Sequence, residues 1–459
     1  MPFSAEFNEK FCRETLPEAC TIVIFGASGN LAEKKIFPAL ESLRQKELLH
    51  PRSRIVAVFR RGMSFEEFCR KADITSGLAA RLSVVRADFE DMSTIKALAR
   101  HLDKTDELSD IRRRIYYFAL PPSAYRSAVG ALHECGMLNE PDARYFRCAV
   151  LEKPLGYDLD DVKNMRRFLS ERLAPERIYL IDHYLGKDDV QNILMLRFAN
   201  KIFSGVWNNH CISKFTVGVS ERAGIGSRAG YFDRAGIVRD MFQSHLLLML
   251  GFCLMPRPEK FDAPHINREL VRVLRNTELE NVRFAGQYEG YLQEPGVSAN
   301  SSALTCSDVT FVNRLPEWNN VSMRLFAGKA MREERTFIRV AFKSEPLSFL
   351  ELSDVSSMPG NELELELKPS SGIRLVLCSK QPGPHLCLGT LSLQHSSDKQ
   401  LAQDGYMRLL LDCQNADRTF FPDFSVFETT GALCDRIIET SAQKSVKIYS
   451  RGTLDFSSR

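Results

Sequence analysis

The sequence lacks long uninterrupted apolar runs, paired cysteines and any large excess of charge. Its first twenty residues, MPFSAEFNEKFCRETLPEAC, contain acids and no apolar stretch of signal-peptide length. No segment is expected to cross or bind a membrane, because no window approaches the apolar run that a bilayer span needs. The twelve cysteines stand singly, with no CxxC pair and no histidine cluster nearby. We therefore expect reduced thiols, no metal site and a cytoplasmic location.

The charge balance excludes another set of functions. The formal net charge is only +3 over 459 residues, so no general attraction to nucleic acid or to an anionic membrane is expected. An apolar share of 44% and a charged share of 26% are ordinary for a globular chain. The length suits two large domains or two to three average ones.

The first 180 residues alternate short apolar runs with amphipathic stretches. The apolar runs, which we expect to be strands, end near Phe25, Phe59, Arg86, Leu120, Leu151 and Ile181. Helical patterns such as NLAEKKIFPALESLRQKELL lie between them. This alternation predicts an α/β, Rossmann-like domain over residues 1–181, with a parallel sheet that binds its ligand at the carboxyl ends of the strands.

After residue 182 the pattern changes. A helix, KDDVQNILMLRFAN, precedes the extended stretch FTVGVSE, and a long apolar helix is expected from about Arg234 to Met255. Beyond Asn300 the residues alternate in polarity as strands do, in SALTCSDVTFV, VSMRLFAGK, TFIRVAFKS and ELELELKP. We expect residues 182–459 to form an α+β domain with a mainly antiparallel sheet, for substrate binding and oligomerisation.

The first strand is followed directly by a glycine-rich turn, GASGNLA, from Gly26 to Ala32. Glycines let the backbone approach a pyrophosphate, and the helix that follows presents free N–H groups to it. The second strand ends in Arg60 and Arg61, where an NAD site would place an acidic residue. Guanidinium groups suit a 2′-phosphate, so NADP is the expected coenzyme, and a solvated surface turn is the alternative.

Three later strand ends add polar groups to the same crevice. ALPPSAY, from Ala119, closes the fourth strand, and EKPLG, with Lys153, closes the fifth. The sixth ends in IDHYLGK, in which His183 and Lys187 lie at a helix amino terminus and form a natural phosphate seat. Asp182, at the end of the apolar strand, is well placed to orient a base.

These motifs, in this order, resemble those of the glucose-6-phosphate dehydrogenase family. Further matches are WNN at Trp207, GYFD from Gly230, RDMFQSHLL from Arg239, FAGKA ending at Ala330 and YMRLLLD ending at Asp412. The resemblance covers roughly residues 20 to 415. It implies an NADP-dependent dehydrogenase that oxidises the anomeric carbon of glucose 6-phosphate, the first oxidative step of the pentose phosphate pathway, and a homodimer or homotetramer joined through the C-terminal sheet.

The resemblance also implies residue roles. His245 would be the general base and Asp182 its carboxylate partner, and Pro154 would be a proline that is often cis. The sugar-phosphate contacts it implies are Lys153, His183, Tyr184, Lys187, Glu221, Asp240 and Lys329. The expected coenzyme contacts include five residues of the glycine-rich turn and three residues at later strand ends: Gly26, Ser28, Gly29, Asn30, Leu31, Arg60, Ala119 and Lys153.

The chain departs from the family at several positions. Asn30 replaces the usual aspartate, Glu334 falls where the family has an arginine, and Lys368 aligns with a glutamine that the family uses near the sugar. A second, structural NADP site that some family members have is expected to be absent or severely degraded, because the C-terminal tail has no tryptophan. Two alternatives stay open: another NADP-dependent sugar oxidoreductase of the same architecture, and a catalytically dead NADP-binding regulator.

Overall fold

A computed structural model describes residues 16–156, 158–182, 184–345, 360–396 and 405–453. The described chain forms two sheets, one of six strands and one of nine, each with its own helices. The α/β prediction for the first part and the mainly antiparallel prediction for the second are both confirmed.

The first sheet is parallel throughout. Its strands are β1 Cys20–Phe25, β2 Arg54–Phe59, β3 Leu82–Arg86, β4 Arg113–Phe118, β5 Phe146–Leu151 and β6 Ile178–Leu180. Their order, β3-β2-β1-β4-β5-β6, is that of a dinucleotide-binding fold. Strands β1 and β5 are buried along their whole length, because helices cover both faces, and this explains the unbroken apolar runs in the sequence.

The helices of this part alternate with its strands. They are α1 Phe37–Gln45, α2 Phe65–Lys71, α3 Ser76–Ala79, α4 Met92–Ser109, α5 Tyr125–Glu134 and α6 Leu159–Ser170. A π-helical turn, Ala32–Ile36, leads into α1 directly after the glycine-rich turn. Helix α2 begins with a capping box in which Ser64 and Glu67 satisfy each other's backbone N–H groups.

The second sheet has the order β14-β13-β12-β11-β7-β10-β9-β8-β15. Its strands are β7 Ile212–Ser220, β8 Thr277–Tyr288, β9 Cys306–Asn313, β10 Ser322–Gly328, β11 Arg335–Phe342, β12 Glu362–Lys368, β13 Gly372–Lys380, β14 Leu388–Ser396 and β15 Lys447–Tyr449. Within the described strands, the pairs β7–β10 and β8–β15 are parallel and the others antiparallel. The sequence did not predict β8, β13, β14 or β15.

Helices pack on one face of the second sheet and enclose a large apolar core. The helices that follow residue 187 are α7 Asp188–Ala199, α8 Lys201–Ser204, α9 Ala229–Ile237, α10 Leu247–Leu254, α11 Ala263–Arg275, α12 Gly405–Gln414 and α13 Phe424–Ala442, and all of them except α12 contribute to this core. Trp207 and Trp318 both lie in this core, and their indole N–H groups donate to the carbonyls of Cys253 and Leu254.

One helical stretch of this second part differs from the prediction that no segment is apolar and long enough to span a membrane. Ala229–Leu254 is long and apolar enough to cross a bilayer by length and composition, whereas no such segment was expected. It is a core element, because 78% of its apolar window is buried inside the protein. It is also not one regular helix: Gly236 interrupts it with a φ of 59°, and Val238–Leu246 is wound as a π-helix.

Helix α12 joins the two parts of the chain. Its residues Tyr406, Met407, Leu409 and Leu410 belong to the same apolar cluster as Ile22 of β1. The helix therefore packs in the core of the first part, although it lies near the end of the sequence. The division at residues 181 and 182 stays a prediction.

Candidate active site

The carboxyl ends of the parallel strands open into a crevice between the two parts of the chain. Its volume is about 780 Å³, within the range of pockets that hold small ligands. Its lining includes Asn30, Ala119, Lys153, Asp240, His245 and Tyr406. Residues predicted for the coenzyme, the sugar and the catalytic step thus face one cavity.

The glycine-rich turn has the geometry that a pyrophosphate needs. Gly26 has a φ of +74°, and a Cβ atom there would lie 2.3 Å from the carbonyl oxygen of Ala119. No other residue fits, because both the backbone angle and the approach to β4 exclude a side chain. The helical backbone begins at Asn30, so the first N–H groups of that helix are available to an anion. This cradle fits the pyrophosphate of a dinucleotide.

Arg60 and Arg61 follow β2 and are exposed. Arg86, at the end of β3, donates from Nε to the carbonyl of Arg60 at 3.3 Å. Within the residues that the structure describes, neither Arg60 nor Arg61 forms an ion pair with a carboxylate. Their position beside the cradle and their available charge fit the 2′-phosphate of NADP.

Asp182 lies two residues after the end of β6 and is fully buried. Its Oδ1 is 3.0 Å from Nδ1 of His245 and accepts the backbone N–H of Tyr184, also at 3.0 Å. Its Oδ2 is 2.7 Å from Nζ of Lys153. One carboxylate therefore holds the expected base and the lysine that the resemblance assigns to both sugar and coenzyme.

The backbone around His245 explains how the ring reaches Asp182. The segment Val238–Leu246 is π-helical, and the N–H of Leu247 bonds to the carbonyl five residues earlier. Such windings are frequent at functional sites, because they change the direction of the side chains relative to an α-helix. The imidazole packs on the ring of Tyr184, with 4.1 Å between ring centroids and 33° between their planes.

The surroundings of His245 favour its neutral form. Burial lowers the pKa of His245 below its ordinary value of 6.5, and Lys153 lowers it further, while Asp182 opposes the shift. Burial likewise lowers the pKa of Lys153, against the attraction of Asp182. A neutral imidazole that donates Nδ1–H to Asp182 keeps the lone pair of Nε2 available as a base.

Glu221, Asp240 and Lys329 are also brought together. Nζ of Lys329 is hydrogen-bonded to Oε2 of Glu221 and lies 3.3 Å from Oδ2 of Asp240. The exposed Arg228 lies 3.2 Å from the same Asp240 oxygen. Glu221 and Lys329 directly follow the neighbouring strands β7 and β10, so one sheet end presents alternating acceptors and donors, as a polyhydroxylated ligand requires.

The structure describes two residues of the predicted phosphate seat, Tyr184 and Lys187. Lys187 is the residue before α7, and its Nζ lies 4.4 Å from the ring centroid of Tyr184. The hydroxyl of Tyr184 is hydrogen-bonded to Thr336 on β11, and burial raises its pKa. His183 lies outside the described residues. The loop is packed tightly, because a Cβ on Gly186 would lie 2.5 Å from the carbonyl oxygen of Gly405.

Two of the three departures from the family contact each other. Lys368, the last residue of β12, lies with Nζ 3.0 Å from Oε1 of Glu334. Both side chains are about half exposed. The charge of the lysine at 368 is thus balanced by the acid at 334. Asn30, the third departure, lines the crevice beside the glycine-rich turn.

The sequence did not single out two residues that the structure places in the crevice, Glu152 and Tyr406. The carboxyl group of Glu152 is hydrogen-bonded to the hydroxyls of Tyr117 and Tyr406, and burial raises its pKa to about 7. Glu152 directly precedes Lys153 in EKPLG, and Tyr406 begins YMRLLLD. Both stood inside quoted motifs, and only the fold shows that the two motifs meet.

A parallel dinucleotide-binding sheet, a glycine cradle with adjacent arginines and a buried histidine–aspartate pair in one crevice define the class: this is an NADP-dependent dehydrogenase. Two family models match the chain. "Glucose-6-phosphate dehydrogenase, NAD binding domain" covers residues 23–192, and "Glucose-6-phosphate dehydrogenase, C-terminal domain" covers residues 194–458. The chain belongs to the glucose-6-phosphate dehydrogenase family, which confirms the resemblance.

Individual relatives agree. Glucose-6-phosphate 1-dehydrogenase of Dickeya dadantii is 32% identical, with 95% of this chain and 94% of the relative covered. Glucose-6-phosphate 1-dehydrogenase 6, cytoplasmic, of Arabidopsis thaliana is also 32% identical, with 90% and 85% covered. A solved glucose-6-phosphate dehydrogenase in complex with its substrate glucose 6-phosphate superposes with a TM-score of 0.87 at 26% identity, covering 96% of each chain.

Proposed function

We propose that this protein oxidises glucose 6-phosphate at C1 with NADP, giving 6-phosphogluconolactone and NADPH, the first oxidative step of the pentose phosphate pathway. The observation that carries this proposal is that His245 lines the same crevice as Asn30 of the coenzyme cradle and contacts the buried Asp182 and the ring of Tyr184. NADP supplies the acceptor for the hydride that leaves C1.

His245 acts as the general base. Its Nε2 takes the proton of the anomeric hydroxyl while the C1–H bond breaks, so the C1–O bond becomes the lactone carbonyl. Asp182, 3.0 Å from Nδ1, stabilises the imidazolium that forms and fixes the tautomer. Lowering of the pKa by burial keeps the base unprotonated at neutral pH.

The remaining residues bind and orient the sugar. Lys153 donates to the sugar and to the coenzyme from its place 2.7 Å from Asp182. Glu221, Asp240 and Lys329 bind sugar hydroxyls through the alternating charges at the sheet end. Binding at positions remote from C1 contributes to catalysis because it holds the reacting carbon in place.

Tyr184 and Lys187, with the amino terminus of α7, form the seat of the phosphate dianion. Lys187 directly precedes the helix. Its ammonium group and the first N–H groups of the helix therefore bind the same phosphate oxygens. We also assign His183 to this seat, because it belongs to the same sequence motif, IDHYLGK.

Absorbance in the band of reduced nicotinamide tests the proposal directly. The purified protein is mixed with glucose 6-phosphate and either NADP or NAD, and with free glucose as the control substrate. We expect reduction of NADP with glucose 6-phosphate and little with glucose. No reduction of either coenzyme would reject the proposed activity, and equal use of glucose would reject the phosphate seat.

We also propose that the chain works in the cytoplasm as a homodimer or homotetramer. In this proposal residues 1–181 bind the coenzyme, and residues 182–459 bind the substrate and form the contacts between subunits. Buried single cysteines support a reducing compartment: Cys20, Cys148, Cys253, Cys306, Cys413 and Cys434 are free thiols. Strand β14 supports assembly through the second sheet, because it ends the strand order and exposes Leu391 and Leu393. Light scattering on the parent and on Leu391→Asp tests this assembly; a monomeric parent would reject it.

A further inference from the structure

Four cationic side chains lie at the ends of three elements on the side of the sheet where the adenosine of the coenzyme is expected. Arg60 and Arg61 follow β2, Lys71 ends α2, and Arg86 ends β3. Strands β2 and β3 pair so that Phe59 lies opposite Arg86, which places Arg86 beside Arg60. The sequence identified only the two arginines after β2.

Lys71 is held directly against the coenzyme cradle. Its Nζ donates to the backbone carbonyl of Ser28 at 2.9 Å, across 43 positions of the sequence. Ser28 belongs to the turn that receives the dinucleotide. An ammonium group has three donors, so two of them remain for a ligand on the same side of the turn.

The acids near this cluster do not form close ion pairs with it. Within the residues that the structure describes, no carboxylate forms an ion pair with any of the four cations. Glu67, four residues before Lys71 on α2, accepts the backbone N–H of Ser64 in the capping box, and Asp91 interacts with Arg86 through charge alone. Cations that lie near one another without close ion pairs repel each other, and a bound dianion reduces that repulsion.

We propose that Lys71 is a coenzyme-specificity residue: together with Arg60 and Arg86 it binds the 2′-phosphate of NADP. The ammonium of Lys71 approaches the phosphate from the cradle, and the guanidinium groups approach it from the strand ends. This inference rests on the proposed use of NADP, and it adds a residue on a helix that neither the glycine-rich motif nor the strand-end arginines indicate.

A purely structural role predicts something different. If Lys71 only braced the Ser28 carbonyl, its loss would disturb the cradle, and the cradle binds the pyrophosphate that NADP and NAD share. Both coenzymes would then lose affinity equally. A role in binding the 2′-phosphate weakens NADP alone.

The test compares Lys71→Met with Lys71→Arg and with the control Arg70→Met, which removes one charge from the adjacent exposed position of α2. Adenosine 2′,5′-bisphosphate and adenosine 5′-monophosphate are titrated by calorimetry, and kcat/KM is measured for NADP and NAD. Loss of a charge-assisted bond corresponds to a loss of about tenfold or more. We expect that loss in Lys71→Met for the bisphosphate and for NADP, little change for the monophosphate and NAD, partial rescue in Lys71→Arg, and less than twofold change in Arg70→Met.

Comparing the bisphosphate with the monophosphate, and NADP with NAD, distinguishes a failure of this inference from a failure of the proposed activity. Equal losses for the bisphosphate and the monophosphate would overturn the inference in favour of a brace, and unchanged affinity for both would overturn it outright. The calorimetric comparison does not depend on turnover. A protein that does not oxidise glucose 6-phosphate but loses bisphosphate binding in Lys71→Met would therefore reject the proposed activity and support the role of Lys71.

Discussion

Nδ1 of His245 lies 3.0 Å from Oδ1 of Asp182, and this contact decides which imidazole nitrogen is available to a substrate. A carboxylate only accepts, so Nδ1 carries the hydrogen and Nε2 carries the lone pair. The buried carboxylate also accepts from the backbone of Tyr184, which holds it in one orientation. The base is thus oriented before any ligand arrives.

Replacing His245 with asparagine should remove most turnover and leave coenzyme binding intact. The amide cannot accept the proton, and general-base catalysis typically contributes about 10²–10⁴-fold. Single-turnover and steady-state rates with glucose 6-phosphate measure the loss in kcat, and titration with NADPH checks the coenzyme site. A loss of less than threefold in kcat would show that another group is the base.

The pH dependence of kcat/KM should report the lowered pKa of His245. The base acts when neutral, so activity falls as pH falls through that pKa, and burial places the fall below 6.5. Because the phosphate of the sugar ionises with a pKa near 6, the profile is measured with free glucose as well. An acid limb centred above 6.5 with both sugars would contradict the expected environment of the imidazole.

Replacing Lys187 with alanine should raise KM for glucose 6-phosphate about tenfold or more, since a charge-assisted hydrogen bond contributes about 1.5–3 kcal/mol. KM for NADP should change little. The rate with free glucose is the matched control, because it has no phosphate to lose. If the variant also lost its activity on glucose in proportion, Lys187 would act on the reaction rather than on the phosphate.

Replacing Arg60 with aspartate should change the coenzyme preference. The carboxylate repels a 2′-phosphate and can accept a hydrogen bond from the bare ribose hydroxyl of NAD. Arg61 and Arg86 remain nearby, so we expect a large loss with NADP, little loss with NAD, and a partial switch. The ratio of kcat/KM for the two coenzymes is compared in parent and variant; an unchanged ratio would place the 2′-phosphate elsewhere.

Two ion pairs of the second sheet should differ in their contribution to the free energy of unfolding. Arg324 and Asp308 are both buried, at 2.8 Å, so Arg324→Leu leaves a carboxylate without its main partner and should cost about 3–5 kcal/mol. Lys368 and Glu334 are half exposed, so Lys368→Ala should cost about 0–1 kcal/mol. Urea unfolding of both variants measures the difference, and equal costs would contradict it.

Local patterns predicted the first part of the fold well. Unbroken apolar runs bounded by turn residues read directly as buried parallel strands, and the predicted ends near Phe25, Phe59 and Leu151 agree with β1, β2 and β5. Prediction was poorer where pairing partners are distant. Strand β8 is twelve residues long and carries bulges against β9, which break the alternation that identifies a half-buried strand.

The candidate site shows the same limit. Gly26 and Arg60 were identified because each acts through its own place beside a strand. The Lys71–Ser28 and Lys368–Glu334 contacts join residues 43 and 34 positions apart, and nothing in the local sequence relates them. The π-helical winding around His245 was not predicted either, since its residues read as an ordinary apolar helix.

The packing of α12 has a consequence for synthesis of the protein. The apolar cluster under β1 is completed by Tyr406, Met407, Leu409 and Leu410, which are made long after the six parallel strands. Domains generally fold in order as they leave the ribosome. Here the six parallel strands are synthesised before the helix that covers one side of their apolar core. That core can be completely buried only after residues 405–414 have been made.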